Sequence, residues 1–201
     1  SYEDRFAEMG LTYARFPIDL GIVDYRVCFV RSALKAQLEK TTNLTELKRY
    51  THGQGIGWSD VQVLRHNGFT VHEVSNYESL FKMVAAGRLD LFCRGANELF
   101  DEYRLHSHIT QLDYDSSFAI VYPLPRFFFT NTTNKKAIER VTKGLQAAYL
   151  DGSLQQLWRE KYQRSIDFAG LKKRRIFRIE NPQLSKINFN YQKYNFDPLK
   201  D

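Results

Sequence analysis

A glycine-rich turn at residues 55–60 carries groups that could hold an anion. Its two glycines, the second of them Gly57, precede a predicted helix, and the free N–H groups at a helix start attract negative charge. Ser59 adds a hydroxyl, and Trp58 adds a flat apolar wall. The turn matches neither a P-loop nor a GxGxxG dinucleotide motif. The competing interpretation is a tight turn in which Ser59 or Asp60 caps the helix.

An arginine stands at the end of a predicted apolar strand, in the sequence Leu-Asp-Leu-Phe-Cys-Arg94. Ligands of open α/β sheets bind beyond the carboxyl ends of the strands. A guanidinium buried at such a place is costly unless it is paired. Two interpretations stay open: Arg94 pairs with Asp90, Glu98 or Asp101, or it clamps an acidic ligand with two parallel hydrogen bonds.

The remaining polar residues show no catalytic or metal-binding spacing. The sequence has no GxSxG elbow for a serine hydrolase and no CxxC or Cys/His cluster for zinc. His106 and His108 fit a polar loop, and Asp101 with Glu102 fits a solvated helix surface. We therefore predict no metal, no cofactor and no catalytic residue.

The two cysteines, Cys28 and Cys93, both lie in apolar segments predicted to be strands. A buried free cysteine packs as a small hydrophobic residue, which is the interpretation we expect here. The alternative is a single disulfide, which needs two close Cα atoms and an oxidising compartment.

Composition places the chain among ordinary globular proteins. Of its 201 residues, 43% are hydrophobic and 26% are charged, which is enough for a sizeable core. The net charge of +6 permits nucleic-acid binding, but the dense basic run at residues 172–175 is interpreted as a solvated turn, and we predict no nucleic-acid partner. No apolar run approaches the roughly 18 residues of a membrane helix. The start of the sequence has no apolar signal core, so the protein is either cytosolic or has its leader outside this sequence.

Predicted strands and helices alternate at short spacing over residues 51–103, which is the βαβ pattern of a parallel sheet. The tail from Ser165 is polar and aromatic and is predicted to lie as a surface strap over the core. The predicted strands are 25–30, 50–54, 70–74, 89–93, 118–123, 126–130 and 176–179, and the predicted helices are 43–49, 60–66, 77–86, 96–103, 135–150 and 154–162. The predicted N-caps include Thr42 or Asn43, Ser75 or Asn76, and Ser153.

Three phrases in this order carry a resemblance to a known family. They are Asn-Leu-Thr-Glu-Leu-Lys48, then Tyr-Glu-Ser-Leu-Phe81 with Gly-Arg-Leu-Asp90, and then the phrase Gly-Leu-Gln-Ala-Ala-Tyr-Leu-Asp-Gly-Ser-Leu154. Over residues 1–162 the chain resembles the C-terminal two-thirds of the periplasmic solute-binding proteins of the polar amino-acid type, the family 3 extracellular binding proteins. The resemblance implies an α/β chain of the type 2 periplasmic-binding fold.

The resemblance also implies an arrangement and a function. Residues 1–31 and 125–201 would form the remnant of lobe one, with hinge strands at 25–31 and 126–130, and residues 32–124 would form lobe two. The lobes would close on a small polar or anionic solute in the periplasm, for a membrane importer such as an ABC transporter or for a sensor. Two alternatives stay open: a ligand-sensing domain of a signalling protein, and a dehydratase-like enzyme, for which His52 and Glu98 are the candidate acid–base residues.

The family's ligand-binding positions carry over only in part. Its Ser/Thr-x-x-Arg segment falls on Tyr-Glu-Asp-Arg5, which gives Arg5 the ligand-carboxylate role. Its Gly-Thr-Thr turn falls on Gly57, Trp58 and Ser59. The family's acidic receiver of the ligand's amino group falls near Arg94, where the acid is missing, and Glu98 follows one helical turn later. The predicted ligand-binding set is therefore Arg5, Gly57, Trp58, Ser59, Arg94 and Glu98, and the ligand is expected to be more anionic than an amino acid.

By the same resemblance, most of the first lobe should precede Arg5. We therefore expect this sequence to be a fragment of a longer protein or a degenerate homologue. Since a small ligand is normally buried by both walls of a cleft, we expect this chain to bind its ligand weakly or not at all.

Overall fold

Two sheets of very different size organise the computed structural model, which describes residues 6–200 apart from the side chain of Lys186. Their strands are β1 Leu11–Tyr13, β2 Tyr25–Arg31, β3 His52–Gly55, β4 Val71–Val74, β5 Leu91–Gly95, β6 Leu112–Tyr114, β7 Phe118–Val121, β8 Phe129–Asn131 and β9 Arg175–Arg178. The helices are α1 Lys35–Leu38, α2 Leu44–Leu47, α3 Ser59–His66, α4 Tyr77–Ala85, α5 Leu99–His106, α6 Lys135–Leu150 and α7 Ser153–Ala169.

The larger sheet has the order β4-β3-β5-β2-β7-β9, with β6 paired to β2. Strands β3, β4 and β5 are parallel, as predicted from the alternation of elements, because α3 and α4 supply the crossovers between them. Strand β2 runs antiparallel to β5, β6 and β7. The sheet is therefore mixed, and β2 joins its parallel half to the pair β7 and β9.

Both faces of the larger sheet are covered. Phe29, Phe81 and Phe92 pack in one core cluster, together with Trp158 of α7. Leu64 of α3 belongs to a second cluster, with Leu47 of α2, Phe69 and Tyr122. A Cβ on Gly53 would lie 2.5 Å from Leu89 Cδ1 and 2.8 Å from Leu80 Cδ2, so β3 and its neighbours need a glycine there.

Two predicted helix caps are confirmed. Asn43 Oδ1 accepts a 3.0 Å hydrogen bond from the N–H of Glu46, and Asn76 Oδ1 accepts a 2.9 Å bond from that of Ser79. The prediction for Ser153 is wrong, because Gly152 holds the cap position in the left-handed region (φ 85°). Helix α7 also continues beyond residue 162 to Ala169, since Ile166 and Ala169 remain on its buried face.

The smaller sheet pairs β1 with β8 in antiparallel register. The chain passes between the sheets through two crossing segments, residues 14–24 and residues 122–128. They are joined by hydrogen bonds from Ile18 N–H to the Arg126 carbonyl (3.0 Å) and from Leu124 N–H to Asp24 Oδ1 (2.7 Å). The crossing segments thus form a narrow bridge between the sheets.

Two strands that are expected with the first lobe and its hinge, β2 and β9, lie in the larger sheet. The physical reason is that β2 is almost entirely buried and finds its backbone partners on β5 and β7. Where the chain hinges stays a prediction.

The cysteines are joined, which corrects the expectation of two free thiols. Cys28 and Cys93 are directly opposite across the antiparallel β2–β5 ladder, with their Cα atoms 3.8 Å apart, and they form a disulfide. Pairing of residues 65 positions apart in the sequence depends on the strand register, which a single sequence does not reveal.

The basic run at residues 172–175 is not a fully solvated turn. The Arg174 side chain is buried and donates to the carbonyls of Ala169, Asp115 and Phe118. Arg175 donates to the carbonyls of Glu39 and Thr41. These two arginines therefore anchor the start of β9.

The C-terminal tail, residues 180–200, returns across both crossing segments. Asn181 Nδ2 donates to the Pro123 carbonyl (2.9 Å), and the N–H of Phe196 donates to the Leu20 carbonyl (2.8 Å). The Phe196 ring also packs against Trp158 at 4.7 Å between centroids. The tail thus holds the bridge between the sheets on more than one side.

A search of the described residues finds no helix that is both long and apolar enough to span a membrane.

Candidate functional site

A cleft of about 670 Å³ opens where the two sheets meet. This volume lies within the usual range for small-molecule sites. Its wall combines the ends of β3, β5 and β2 with the second crossing segment and the tail. The lining residues are Phe6, Ile18, Arg26, Gly57, Trp58, Ser59, Asp60, Arg94, Leu124, Pro125, Arg126, Phe127, Phe129, Asn181, Gln183 and Leu184.

The glycine-rich turn forms one edge of this cleft. Gly57 lies in the left-handed region (φ 76°), and its N–H donates to Glu73 Oε2 at 3.2 Å. The Trp58 ring folds back over Gly55, where a Cβ would lie 2.3 Å from Trp58 Cε2. A glycine at position 55 therefore allows the indole to lie flat against the end of β3.

Neither Ser59 nor Asp60 caps the helix that follows, so that interpretation is wrong. Helix α3 begins at Ser59 with Trp58 in the cap position and no side-chain cap hydrogen bond. The Asp60 carboxylate points elsewhere, since it accepts a 2.6 Å hydrogen bond from the Tyr122 hydroxyl. The start of α3 is therefore presented to the cleft without a capping side chain.

Arg94 lines the cleft, but its guanidinium is paired within the chain. Its Nη2 donates to Glu98 Oε1 at 2.7 Å, and its Nε donates to both oxygens of Glu102 at 2.9 and 3.1 Å. The guanidinium also lies 5.0 Å above the Trp58 ring. Of the two interpretations left open by the sequence, the ion pair is present, with Glu98 as one predicted partner and Glu102 as a second that was not foreseen.

The charges of this network shift the pKa values of Arg94 and Glu102. Burial lowers the pKa of Arg94, but Glu102 and Glu98 more than compensate, so its pKa is raised overall. Burial raises the pKa of Glu102 against the opposing effect of Arg94. Glu98 does not line the cleft itself; it holds Arg94 and accepts from the N–H of Gly95 at 3.0 Å.

Arg26 lines the cleft although the sequence did not predict it as a site residue. It lies on β2 opposite Gly95, and only 2% of its side chain is exposed. Its Nη2 makes an ion-pair contact of 3.0 Å with Asp60 Oδ1, and its guanidinium lies 5.4 Å from the Tyr122 ring centre. The signal available was a lone arginine in the apolar run Tyr-Arg-Val-Cys-Phe-Val.

The Arg26 guanidinium is charged but incompletely bonded. Burial lowers its pKa, but Asp60 together with Tyr122, Glu98 and Asp24 more than offsets this, so that the pKa ends above its usual range. Yet Nε and Nη2 of Arg26 are buried atoms with no hydrogen-bond partner among the described residues. Buried donors without partners are rare in folded proteins.

The other candidates lie away from the cleft wall. His52 is fully buried, 3.8 Å from Cys93 Sγ, and burial lowers its pKa to about 4. Arg5 lies outside the described residues. Within residues 6–200, no group of three or more His, Cys, Asp or Glu side chains is placed to hold a metal ion.

The structure thus brings four of the six predicted residues together in one cleft: Gly57, Trp58, Ser59 and Arg94. Their roles toward a ligand stay a prediction. Arg26, Asp60 and Arg126 join them there without having been predicted.

Comparison with known proteins gives matches only among solved structures. No family model matches the chain, and no curated protein does. An ancestral arginine-binding protein bound to arginine matches at 16% identity and TM-score 0.56, covering 80% of this chain and 66% of its own. A periplasmic His/Glu/Gln/Arg/opine family-binding protein from Silicibacter pomeroyi in complex with lysine matches at 10% identity and TM-score 0.57, covering 79% and 65%.

A third match is the ancestral amino acid-binding protein AncCDT-1, a precursor of cyclohexadienyl dehydratase, at 12% identity and TM-score 0.53, covering 78% of this chain and 63% of its own. The chain therefore spans slightly less than two thirds of the length of each of these three proteins. At such identities the likeness is one of fold.

Proposed function

We propose that this chain, which has the type 2 periplasmic-binding-protein fold, captures a small polar or anionic solute in the cleft between its two sheets. The observation that carries the proposal is the cleft itself. It lies at the carboxyl ends of β3 and β5, where open α/β sheets bind ligands, and three arginines line it. Fold alone does not assign a function, so the proposal rests on this site.

Each predicted residue is given a role in this proposal. The backbone N–H groups at Ser59 and its hydroxyl receive a negatively charged group, and Trp58 packs against the body of the solute. Arg94 is held rigid by Glu98 and Glu102 and supplies positive charge to the wall rather than a free clamp. Arg5 stays a predicted ligand-binding residue.

Capture is proposed to involve movement of two lobes, expected as 1–31 with 125–201 against 32–124. We refine this division so that β2 and β9 move with the larger sheet, because residues 14–24 and 122–128 are the segments that pass between the sheets. Bending of these segments would close the cleft over the solute. The captured solute is passed to a membrane importer or reported to a sensor.

We place the protein outside the cytoplasm. The Cys28–Cys93 disulfide supports this, because disulfides form and persist in oxidising compartments. The periplasmic protein of like fold points the same way.

The dehydratase alternative is weaker on the evidence of the site. His52 and Glu98 were its candidate acid–base residues. His52 is buried beside Cys93, and Glu98 is engaged by Arg94. A general acid or base must reach the proton that it transfers, and neither side chain lines the cleft.

The test is a thermal-shift screen of the chain with millimolar amino acids, dicarboxylates, monocarboxylates and small peptides. A solute present at about ten times its Kd should stabilise the fold by about 1.4 kcal/mol, a rise in Tm of about 3–6 °C for a chain of this size. Failure of every polar solute to raise Tm contradicts the proposal.

A matched pair of variants ties any shift to the cleft. Trp58→Ala removes an aromatic wall of the cleft and should abolish the shift. Phe128→Ala removes an aromatic ring that is 49% exposed and outside the cleft lining, and it should leave the shift intact. Equal loss in both variants would place the binding elsewhere.

A further inference from the structure

Arg26 offers two unused donors at the floor of the cleft. Its Nε and Nη2 atoms are buried and make no hydrogen bond within the described chain, although the residue lines the cleft. An Arg side chain can place two parallel N–H groups on one carboxylate. The two N–H groups of Arg26 are therefore available to bind an anion.

Asp60 does not use this donor pair. It approaches the guanidinium only through Oδ1, and the same oxygen accepts the Tyr122 hydroxyl. The contact lacks hydrogen-bond geometry at Nη2, so Asp60 supplies charge compensation and Tyr122 fixes where that charge sits. Asp60 and Tyr122 are therefore positioning residues for Arg26.

The described wall has no uncommitted carboxylate to receive an ammonium group. Asp60 is the one acidic residue among the cleft lining of residues 6–200, and it is committed to Arg26 and Tyr122. The nearby Glu98 and Glu102 are committed to Arg94. Burying an ammonium group without a partner is strongly unfavourable.

The remainder of the wall suits an organic body. Aromatic and aliphatic side chains lie between the charged residues, including Trp58, Phe127, Phe129 and Leu124. Three arginines and one carboxylate line this wall, and Arg94 is paired with Glu98 and Glu102 behind it.

We infer that the cleft selects organic carboxylates that carry no ammonium group, and that the Arg26 guanidinium receives the carboxylate. The inference rests on the proposed function and names its substrate class. It separates this chain from the proteins of like fold that hold arginine or lysine.

The test compares two pairs of probes that differ only by an ammonium group: glutarate with L-glutamate, and 3-phenylpropionate with L-phenylalanine. Binding to the whole chain is measured by ligand-observed NMR and thermal shift at millimolar concentration, which registers weak binding. We expect each deaminated acid to bind about 10- to 100-fold more tightly than its amino acid.

The outcomes separate the two proposals. Equal or tighter binding of the amino acids overturns the selectivity while leaving solute capture standing. Binding restricted to neutral or cationic solutes of the wider screen has the same meaning. Binding of no solute at all contradicts the proposed function itself.

Variants then assign the carboxylate to Arg26. Arg26→Gln should lose about 10- to 100-fold in affinity for the deaminated acids, and Arg26→Lys should recover part of it. Arg140→Gln changes an exposed arginine on α6 outside the cleft and should bind as the parent does.

Tyr122→Phe keeps the ring and removes only the hydrogen bond to Asp60. It therefore tests the role of Arg26 independently if Arg26→Gln does not fold. It should weaken the binding of the carboxylate probes several-fold. Unchanged carboxylate affinity in both Arg26→Lys and Tyr122→Phe would overturn the role of Arg26.

Discussion

Two arginines at the ends of neighbouring strands, Arg94 and Arg26, are treated in opposite ways by this fold. Arg94 lies beside α5, is 12% exposed at its side chain and is matched by two glutamates. Arg26 faces α3, is 2% exposed and makes one ion-pair contact while two of its nitrogens stay without hydrogen bonds. The difference is one of hydrogen bonding: the Arg94 guanidinium is engaged by two glutamates, whereas the Arg26 guanidinium keeps two donors without partners among the described residues.

Substitution of Arg26 is expected to lower the free energy of unfolding more than any other change considered. Arg26→Met leaves the Asp60 carboxylate buried without its cation, and removal of one partner of a buried pair costs about 3–5 kcal/mol. Urea unfolding of parent and variant measures the loss. The double variant with Asp60→Asn should regain much of that stability, and a loss below about 1 kcal/mol in the single variant would contradict a buried pair.

The free energy of unfolding is expected to depend on pH through two acids on the first crossing segment. Burial raises the pKa of Asp19 to about 6 and that of Asp24 to about 7, from 3.8. Between about pH 4 and pH 7 the folded chain therefore holds protons that the unfolded chain has released, and the free energy of unfolding should fall as pH rises.

Asp24→Asn isolates this effect, because the amide oxygen still accepts the Leu124 N–H but cannot ionise. The variant should show a flatter fall in stability between about pH 4 and pH 7 than the parent. The buried His52, whose pKa is lowered to about 4 by burial, opposes the trend equally in both proteins. Parallel curves would contradict the shift of Asp24.

Gly55→Ala tests the packing of the Trp58 indole, which lies between Gly55 and Arg94. The added Cβ would lie 2.3 Å from the indole that stacks beneath Arg94, so a loss of about 1–3 kcal/mol is expected from overpacking. Gly144→Ala is the matched control, since its Cβ meets nothing within 4 Å on helix α6 and should stabilise by up to about 1 kcal/mol. Thermal unfolding of both variants measures the contrast.

The smallest expected effect lies in the Arg94 network. Tyr77→Phe removes the hydroxyl that donates to Glu102 Oε1, while Arg94 keeps its bonds to both glutamates. A loss of about 0.5–1.5 kcal/mol is expected in urea unfolding. If Tyr77→Phe lowered the free energy of unfolding as much as Arg26→Met does, the hydrogen bonds of Arg94 would be no more complete than those of Arg26.

Much of the scaffold followed from local sequence patterns. The alternation of strands and helices over residues 51–103 predicted the parallel strands β3, β4 and β5. Asn43 and Asn76 marked helix starts through bonds to groups three residues away. The three family phrases led to the type 2 periplasmic-binding fold, which the solved structures of like fold bear out.

The candidate site followed only in part. The turn with Gly57, Trp58 and Ser59 and the strand end at Arg94 were found because glycines before a helix and an arginine after an apolar strand are local signals. Arg26 was missed because a single charge in an apolar strand does not reveal which helix it will face. The pairing of Arg94 with Glu102 needed the packing of α5 against the end of β5.

By itself the sequence determined most of the elements, their order and the helix caps at Asn43 and Asn76, because periodicity and turn chemistry act over a few residues. Only the tertiary structure decided which distant residues meet. The β2–β5 register set the disulfide between Cys28 and Cys93 and placed Arg26 opposite Gly95, and α3 then brought Asp60 to it. Strand register and burial are properties of the folded chain as a whole. They pair Arg94 with two glutamates and leave two nitrogens of Arg26 without hydrogen bonds among the described residues.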